Sequence, residues 1–223
     1  LRIQPDIERA LSRLSLGHGG PRDLANIANG LDSAGEIAAQ IKAVVAKGIG
    51  GFTLPDGLPD CLDMMLCPRG LSDELAPALA DELPLLARDG GFIRQGYDLA
   101  LDDLCDLRDE SRRLIVALQS RYADETGIAS LKIKHNNVLG YHIDVRSNHA
   151  GKLMDHEIFI HRQTTAQAVR FTTTELAQME RDMASAADRA LALELEIFDR
   201  LRSLVLQAAH DLGNAARALA EID

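Results

Sequence analysis

Leu131-Lys132-Ile133-Lys134-His135-Asn136-Asn137-Val138-Leu139-Gly140-Tyr141-His142-Ile143-Asp144-Val145-Arg146 alternates apolar and polar residues on both sides of an Asn136-Asn137 connection. A period of two is the period of a strand, because successive side chains point to opposite faces. The segment predicts a β-hairpin with Ile133, Ile143 and Val145 on one face and Lys132, Lys134, His142 and Arg146 on the other. Glu157-Ile158-Phe159-Ile160-His161 supplies a third strand, since a two-stranded ribbon alone is marginal in water. One face packs and the other meets a partner.

On either side of this insert the periodicity changes to alternating steps of three and four. Tyr97, Ala100, Leu104, Leu107, Ser111, Leu114, Leu118 and Arg121 or Tyr122 form a heptad-like stripe. The helix they predict ends near Gly127, giving roughly 30 residues and about 45 Å. Leu176, Met179, Met183, Ala186, Ala190, Leu193 and Ile197 repeat the pattern after Thr172-x-x-Glu175, which has capping-box spacing. Consecutive four-residue steps, Ile197 to Leu201 and Ala208 to Leu212, relax any supercoil there. Two long helices flanking an insert imply an antiparallel arm.

Upstream, turn chemistry breaks the chain into short helices. Pro5 opens one that runs to about Leu16, Gly17-His18-Gly19-Gly20 ends it, and Pro21 sits in the first turn of the next. Ser33-x-x-Glu36 predicts a further helix start, reaching Lys47 before Gly48, Gly50 and Gly51. Residues 52–70, with Pro55, Pro59, Pro68, Gly57 and Gly70, read as a surface excursion around one short helix. Two more short helical pieces precede the turn Asp89-Gly90-Gly91.

Composition agrees with a mainly α fold. The 223 residues are 46% apolar and only 4% aromatic, with no Trp, so Ala and Leu seams carry the packing. Three cysteines, Cys61, Cys67 and Cys105, have no Cys-x-x-Cys spacing and point to a reducing cytosol. No apolar run reaches the ~18 residues of a membrane span. The start, Leu1-Arg2-Ile3-Gln4-Pro5, lacks an initiator Met and a signal core, as expected of a fragment from a larger cytoplasmic protein.

The net charge of −10 conceals a basic island. Between residues 128 and 170 stand Lys132, Lys134, Arg146, Lys152, Arg162 and Arg170 against only Asp144, Asp155 and Glu157, and five of the seven histidines lie there too. Arg162, Gln163, Thr164, Gln167 and Arg170, read as a loop before a helix N-terminus, combine the donors that hold DNA phosphates without reading sequence. A solvated capping loop is the plainer reading of the same composition. No stacking platform of aromatics suggests single-strand binding. His135, His142, His149 and His156 recur every seven residues, which reverses a strand face and matches no metal-ligand spacing. Gly17-His18-Gly19-Gly20 follows a helix and lacks Gly-Lys-Ser/Thr, and no nucleophile motif occurs, so no active site is expected.

Gly127-Ile128-Ala129-Ser130-Leu131 through Ile143, then Phe159-Ile160-His161-Arg162-Gln163-Thr164, Arg170-Phe171, Glu175-Leu176 and Arg189-Ala190-Leu191-Ala192-Leu193-Glu194, resemble in order the clamp and lever region of the bacterial MutS family of DNA mismatch repair proteins. Asp6-Ile7-Glu8-Arg9, Gly20-Pro21-Arg22-Asp23-Leu24 and Arg88-Asp89-Gly90-Gly91-Phe92-Ile93 resemble its core helices. The resemblance implies a partial helical core at 1–96, an outgoing lever helix at 97–127, a β-containing DNA clamp at 128–171 and a returning lever helix at 172–223. It also implies double-stranded DNA as partner, gripped by its backbone, and a nucleoid-associated protein. Lys132, Lys134, Asn136, Asn137, Arg146, His161, Arg162, Gln163, Thr164, Gln167 and Arg170 become the phosphate-facing set.

Where relatives carry lysine and asparagine, this chain has Ala166 and Gln167, and others have an aromatic at His135 or His142. Losing that lysine lowers the expected affinity. Neither a Gly-x-x-x-x-Gly-Lys-Ser/Thr loop nor a Phe-x-Glu wedge occurs, so the resemblance implies no catalysis and no cofactor here, with ATP, Mg and homodimerisation belonging to the full-length protein. The rival expectation is a coiled-coil arm whose tip docks another protein. A metal-dependent enzyme lacks the ligand pattern it needs.

Overall fold

The computed structural model describes residues 5–47, 55–66 and 70–222. Gly48, Gly50, Gly51, Cys67, Pro68 and the first four residues lie outside them. The chain is mainly α with one small antiparallel sheet inserted between helices, and it divides into two compact units, Leu1–Asp98 with Leu191–Asp223 and Leu99–Ala190.

In the first unit, α1 (Ile7–Ser15) starts at Asp6, whose carboxylate accepts from the Arg9 N–H at 2.9 Å, and buries Ile7, Ala10 and Leu14 at helical spacing. Next comes α2 (Pro21–Ala46), one unbroken helix. The capping box expected at Ser33 is therefore a helix interior, and the helix is capped at Gly20, whose N–H donates to Asp23 Oδ2 at 2.8 Å. Asn29-Gly30 precedes Ser33 without breaking the helix, because Gly30 is buried there against the Ile7 side chain, where a Cβ would not fit. Small residues line the contact faces: Ala34 and Ala38 of α2 meet Leu62 and Met65 of α3 (Leu58–Met65) and the Ala218 side of the C-terminal helix. A further helix, α4 (Leu71–Ala78), packs on α2.

The strongest polar contact of this unit is one that sequence reasoning missed. Glu194, only 7% exposed, accepts hydrogen bonds from three successive backbone N–H groups: Gly91 at 2.8 and 3.0 Å, Phe92 at 3.1 Å and Ile93 at 3.3 Å. Gly90 and Gly91, at φ +68° and +75°, turn those N–H groups onto one carboxylate. Phe92 then packs edge-on against Phe198 with ring centroids 6.0 Å apart.

In the second unit, α5 (Leu99–Thr126) leads into β1 (Lys132–Asn136) and β2 (Gly140–Arg146). A short α6 (Ala150–Met154), then β3 (Ile160–Thr164) and β4 (Ala168–Thr172), precede α7 (Thr174–Gln207), whose continuation past Ala190 lies in the first unit with α8 (Ala209–Ile222). The strands pair antiparallel in the order β1-β2-β4-β3. The third strand begins later than expected, because Phe159 anchors the core and only the residues beyond it pair. The fourth strand occupies the segment read as a loop.

The core joins Ile115, Leu118 and Tyr122 of α5 and Leu176 of α7 to Ile143, Val145, Val169 and Phe171 of the sheet. The expected α5 stripe holds in part: Ser111, Leu118 and Tyr122 are buried, but Leu107 and Leu114 stay exposed while Leu101 and Ile115, outside the stripe, are buried. A 3.6-residue turn drifts from a strict heptad, and the sheet selects the face that meets it. The α7 stripe keeps Leu176, Ala186, Ala190 and Ile197 buried, as expected. Its N-cap is Thr173, not Thr172, since the Leu176 N–H donates to Thr173 Oγ1 at 3.0 Å.

Candidate nucleic-acid interface

The sheet register decides which polar residues share a face. Lys132 and Arg170 both lie opposite Asp144, and Lys134 lies opposite His142, so these residues stand on the face away from Ile133, Ile143 and Phe171. Arg146 follows on the same face, opposite Ala168. Between His161 and Gln163 the β3–β4 register shifts by one residue, placing Gln163 opposite Arg170 with Arg162 as the unpaired extra residue of the bulge. Four cations, Lys132, Lys134, Arg146 and Arg170, thus share one face of a small sheet, and Arg162 stands at the bulge of its edge strand.

Register also separates the expected set. Asn136 and Asn137 lie at the β1–β2 turn, beside the start of β2, whereas Thr164 and Gln167 flank the β3–β4 turn at the opposite end, beside Arg146. The Asn136 side chain is spent locally, its Oδ1 accepting from the Val138 and Leu139 N–H groups at 2.9 and 2.8 Å. His161 and Thr164 bond each other at 2.9 Å, and the His161 ring lies edge-on to buried Phe171 at 5.9 Å. Lys132, Asn137, Arg146, Arg162 and Gln167 are exposed, and their side chains make no hydrogen bond or ion pair among the described residues. Expected on the open polar face, His142 is 2% exposed, with Nδ1 3.0 Å from the Gly140 carbonyl oxygen, and so offers nothing to a ligand.

One acid sits among these cations. Asp144 Oδ1 accepts from Lys134 Nζ at 2.9 Å, and Oδ2 lies 3.6 Å from Arg170 Nε. Arg170 Nη1 also donates to Gln163 Oε1 at 2.6 Å, while its buried Nε–H has no hydrogen-bond acceptor. Alternation places Asp144 on this face, yet nothing in the local sequence marks it as the partner of two cations that come from different strands.

The helices brace the sheet through polar clasps. Gln119 of α5 accepts from the Ile133 N–H at 2.8 Å, closing part of the β1 edge. Glu180 of α7 accepts from the Tyr141 N–H at 2.9 Å, an approach open only because residue 140 is Gly: its φ is +68°, and a Cβ there would overlap the Glu180 carboxylate. At the helix ends, the Leu176 N–H donates to Thr173 Oγ1, which lies 2.9 Å from the Tyr122 hydroxyl; that hydroxyl donates to Glu175 Oε2 at 3.2 Å, where Arg121 also pairs. Burial pushes the Tyr122 phenol above its ordinary range, so it stays protonated and donating.

Comparison with known proteins places this arrangement. The family model for MutS family domain IV matches residues 96–189, nearly the whole second unit. The complete chain is 50% identical to the DNA mismatch repair protein MutS of Rhodopseudomonas palustris (strain BisB5), covering 24% of that protein. The chain belongs to the MutS family. Similar matches, 48% and 49% identical over the whole chain, are found with the DNA mismatch repair proteins MutS of Nitrobacter winogradskyi and Nitrobacter hamburgensis. The chain spans about a quarter of the length of these MutS relatives. Among the described residues, no group of His, Cys, Asp or Glu gathers to hold a metal ion, and no helix is long and apolar enough to cross a membrane.

Proposed function

We propose that this MutS segment holds duplex DNA through sequence-independent phosphate contacts made by the polar face and far end of the four-stranded sheet. The observation that carries the reading is the set of exposed, partnerless cations Lys132, Arg146 and Arg162 on a small rigid module, in a chain whose net charge is −10. Such cations release counterions from duplex DNA, and the surrounding acidic surface leaves this face as the favoured docking point. Buried Tyr122, Phe159 and Phe171 offer no stacking surface, which favours a duplex over an unpaired strand.

In this reading α5 and α7, braced to the sheet by Gln119, Glu180 and the Tyr122 clasp, carry any displacement of the clamp toward an ATPase elsewhere in the full-length homodimer. ATP and Mg act there, in the cytoplasm, and the segment itself contributes grip and leverage without catalysis.

The test is anisotropy titration of labelled duplex DNA across a salt series, with the wild-type chain and a Lys132→Gln/Arg146→Gln/Arg162→Gln variant. Three lost phosphate contacts make the log–log salt slope shallower by about 2.7. Absence of wild-type binding at low salt, or identical slopes, sinks the reading in favour of a protein-docking arm, for which exposed Leu107 and Leu114 on α5 are the supporting feature.

A further inference from the structure

We infer that Asp144 is a built-in attenuator of DNA affinity: it holds Lys134 and Arg170 in internal ion pairs, so that a phosphate must displace a carboxylate before either cation can serve. The inference rests on the phosphate-grip reading and refines it. Two classes of cation share the module. Lys132, Arg146 and Arg162 are free, whereas Lys134 and Arg170 converge on one carboxylate in the central strand β2, at 2.9 and 3.6 Å. Gln163 of the edge strand holds the Arg170 guanidinium from its other side, at 2.6 Å.

The pairs are built to be exchangeable. The Lys134 side chain is 55% exposed, so solvent reaches its end of the pair, whereas Arg170 at 28% and Asp144 at 16% are largely shielded, which makes Lys134 the partner that exchanges most readily. Replacing one anion by another at Lys134 Nζ therefore costs little beyond the competition itself. The Arg170 Nε–H is buried 3.6 Å from Asp144 Oδ2 without making a hydrogen bond, so Arg170 reaches a phosphate only by leaving that position. Besides occupying two cations, the Asp144 carboxylate repels any phosphate approaching the face. A grip with this device stays weak at rest and gains contacts only where DNA is pressed onto the face, as sequence-independent holding followed by release requires.

The experiment measures duplex DNA affinity of the 223-residue chain across salt for wild type, Asp144→Asn, Lys134→Gln, Lys132→Gln and Asp144→Asn/Lys134→Gln, with thermal unfolding of each. Asp144→Asn is expected to bind tighter, by roughly threefold for each cation released, with a salt slope steeper by about 1 to 2. Lys134→Gln is expected to cost less than Lys132→Gln in the wild-type background and the full threefold in the Asp144→Asn background. If wild type binds and a normally folded Asp144→Asn binds equally or more weakly, the attenuator is overturned while the phosphate grip stands. If no variant binds at low salt, the phosphate grip itself falls and the attenuator with it. Should Asp144→Asn fail to fold, the two lysine variants decide: equal losses overturn the inference, and a smaller loss for Lys134→Gln upholds it.

Discussion

Glu194 and Asp144 are both carboxylates withdrawn from water, one in each unit, and they are satisfied in opposite ways. Glu194 is held by backbone N–H groups of Gly91, Phe92 and Ile93, which cannot leave without unfolding the turn. Asp144 is held by the Lys134 ammonium, which can rotate away and find another anion, and faces the side-chain Nε of Arg170. Backbone partners make a carboxylate a structural rivet, while flexible cationic partners make it a competitor for ligand. The helical unit thus uses its buried acid for stability, and the sheet unit uses its own to set the availability of charge.

The sharpest way to break this contrast is Glu194→Ala. It leaves three backbone donors without an acceptor in a water-poor site, and about 3 kcal/mol of stability should be lost, read as a lower urea midpoint. A loss below that of Asp144→Asn would reverse the roles assigned to the two acids. Next in size is Gly140→Ala, which forces a Cβ into a left-handed backbone position and against Glu180. A cost of about 2 kcal/mol is expected, with faster hydrogen exchange at the Tyr141 amide.

Tyr122→Phe is the mildest of the three. It interrupts the hydrogen-bond chain from Thr173 to Glu175 and should cost about 1 kcal/mol. Because burial raises the folded-state phenol value above the unfolded one, wild type binds more protons than its unfolded chain above about pH 10. The tyrosine's contribution is fully present below that pH and is lost as pH rises through the folded value. Alkaline unfolding followed by circular dichroism should show this decline in wild type and its absence in Tyr122→Phe.

Legibility in the sequence followed the range of the interaction. The β1–β2 hairpin was readable because alternation is local, and the α7 stripe because Leu176, Ala186, Ala190 and Ile197 keep helical spacing on one buried face. In β4, Ala168-Val169-Arg170-Phe171-Thr172 also alternates, but the Thr-rich basic run around it carries the composition of a loop and masks the strand. β3 is foreshadowed only by Glu157-Ile158-Phe159-Ile160-His161, three residues too early, since the apolar Ile158 and Phe159 carry that signal while all five residues of the strand itself are exposed. The basic island was visible as charge. Its division into free cations and those held by Asp144 was not.

What the chain determines by itself is therefore the mainly α class with an inserted hairpin, the seams that bury Ala and Leu, and the charge of the insert; each depends on spacings of two, three or four residues along one element. What only the tertiary structure decides is which face of α5 is buried, where the clasps close, and which cations remain free. Those depend on partners 39 residues apart for Tyr141 and Glu180, 51 for Tyr122 and Thr173, and more than 100 for Glu194 and Gly91. Hydrogen bonds and ion pairs act over a few ångströms of space, and no local sequence rule carries that proximity.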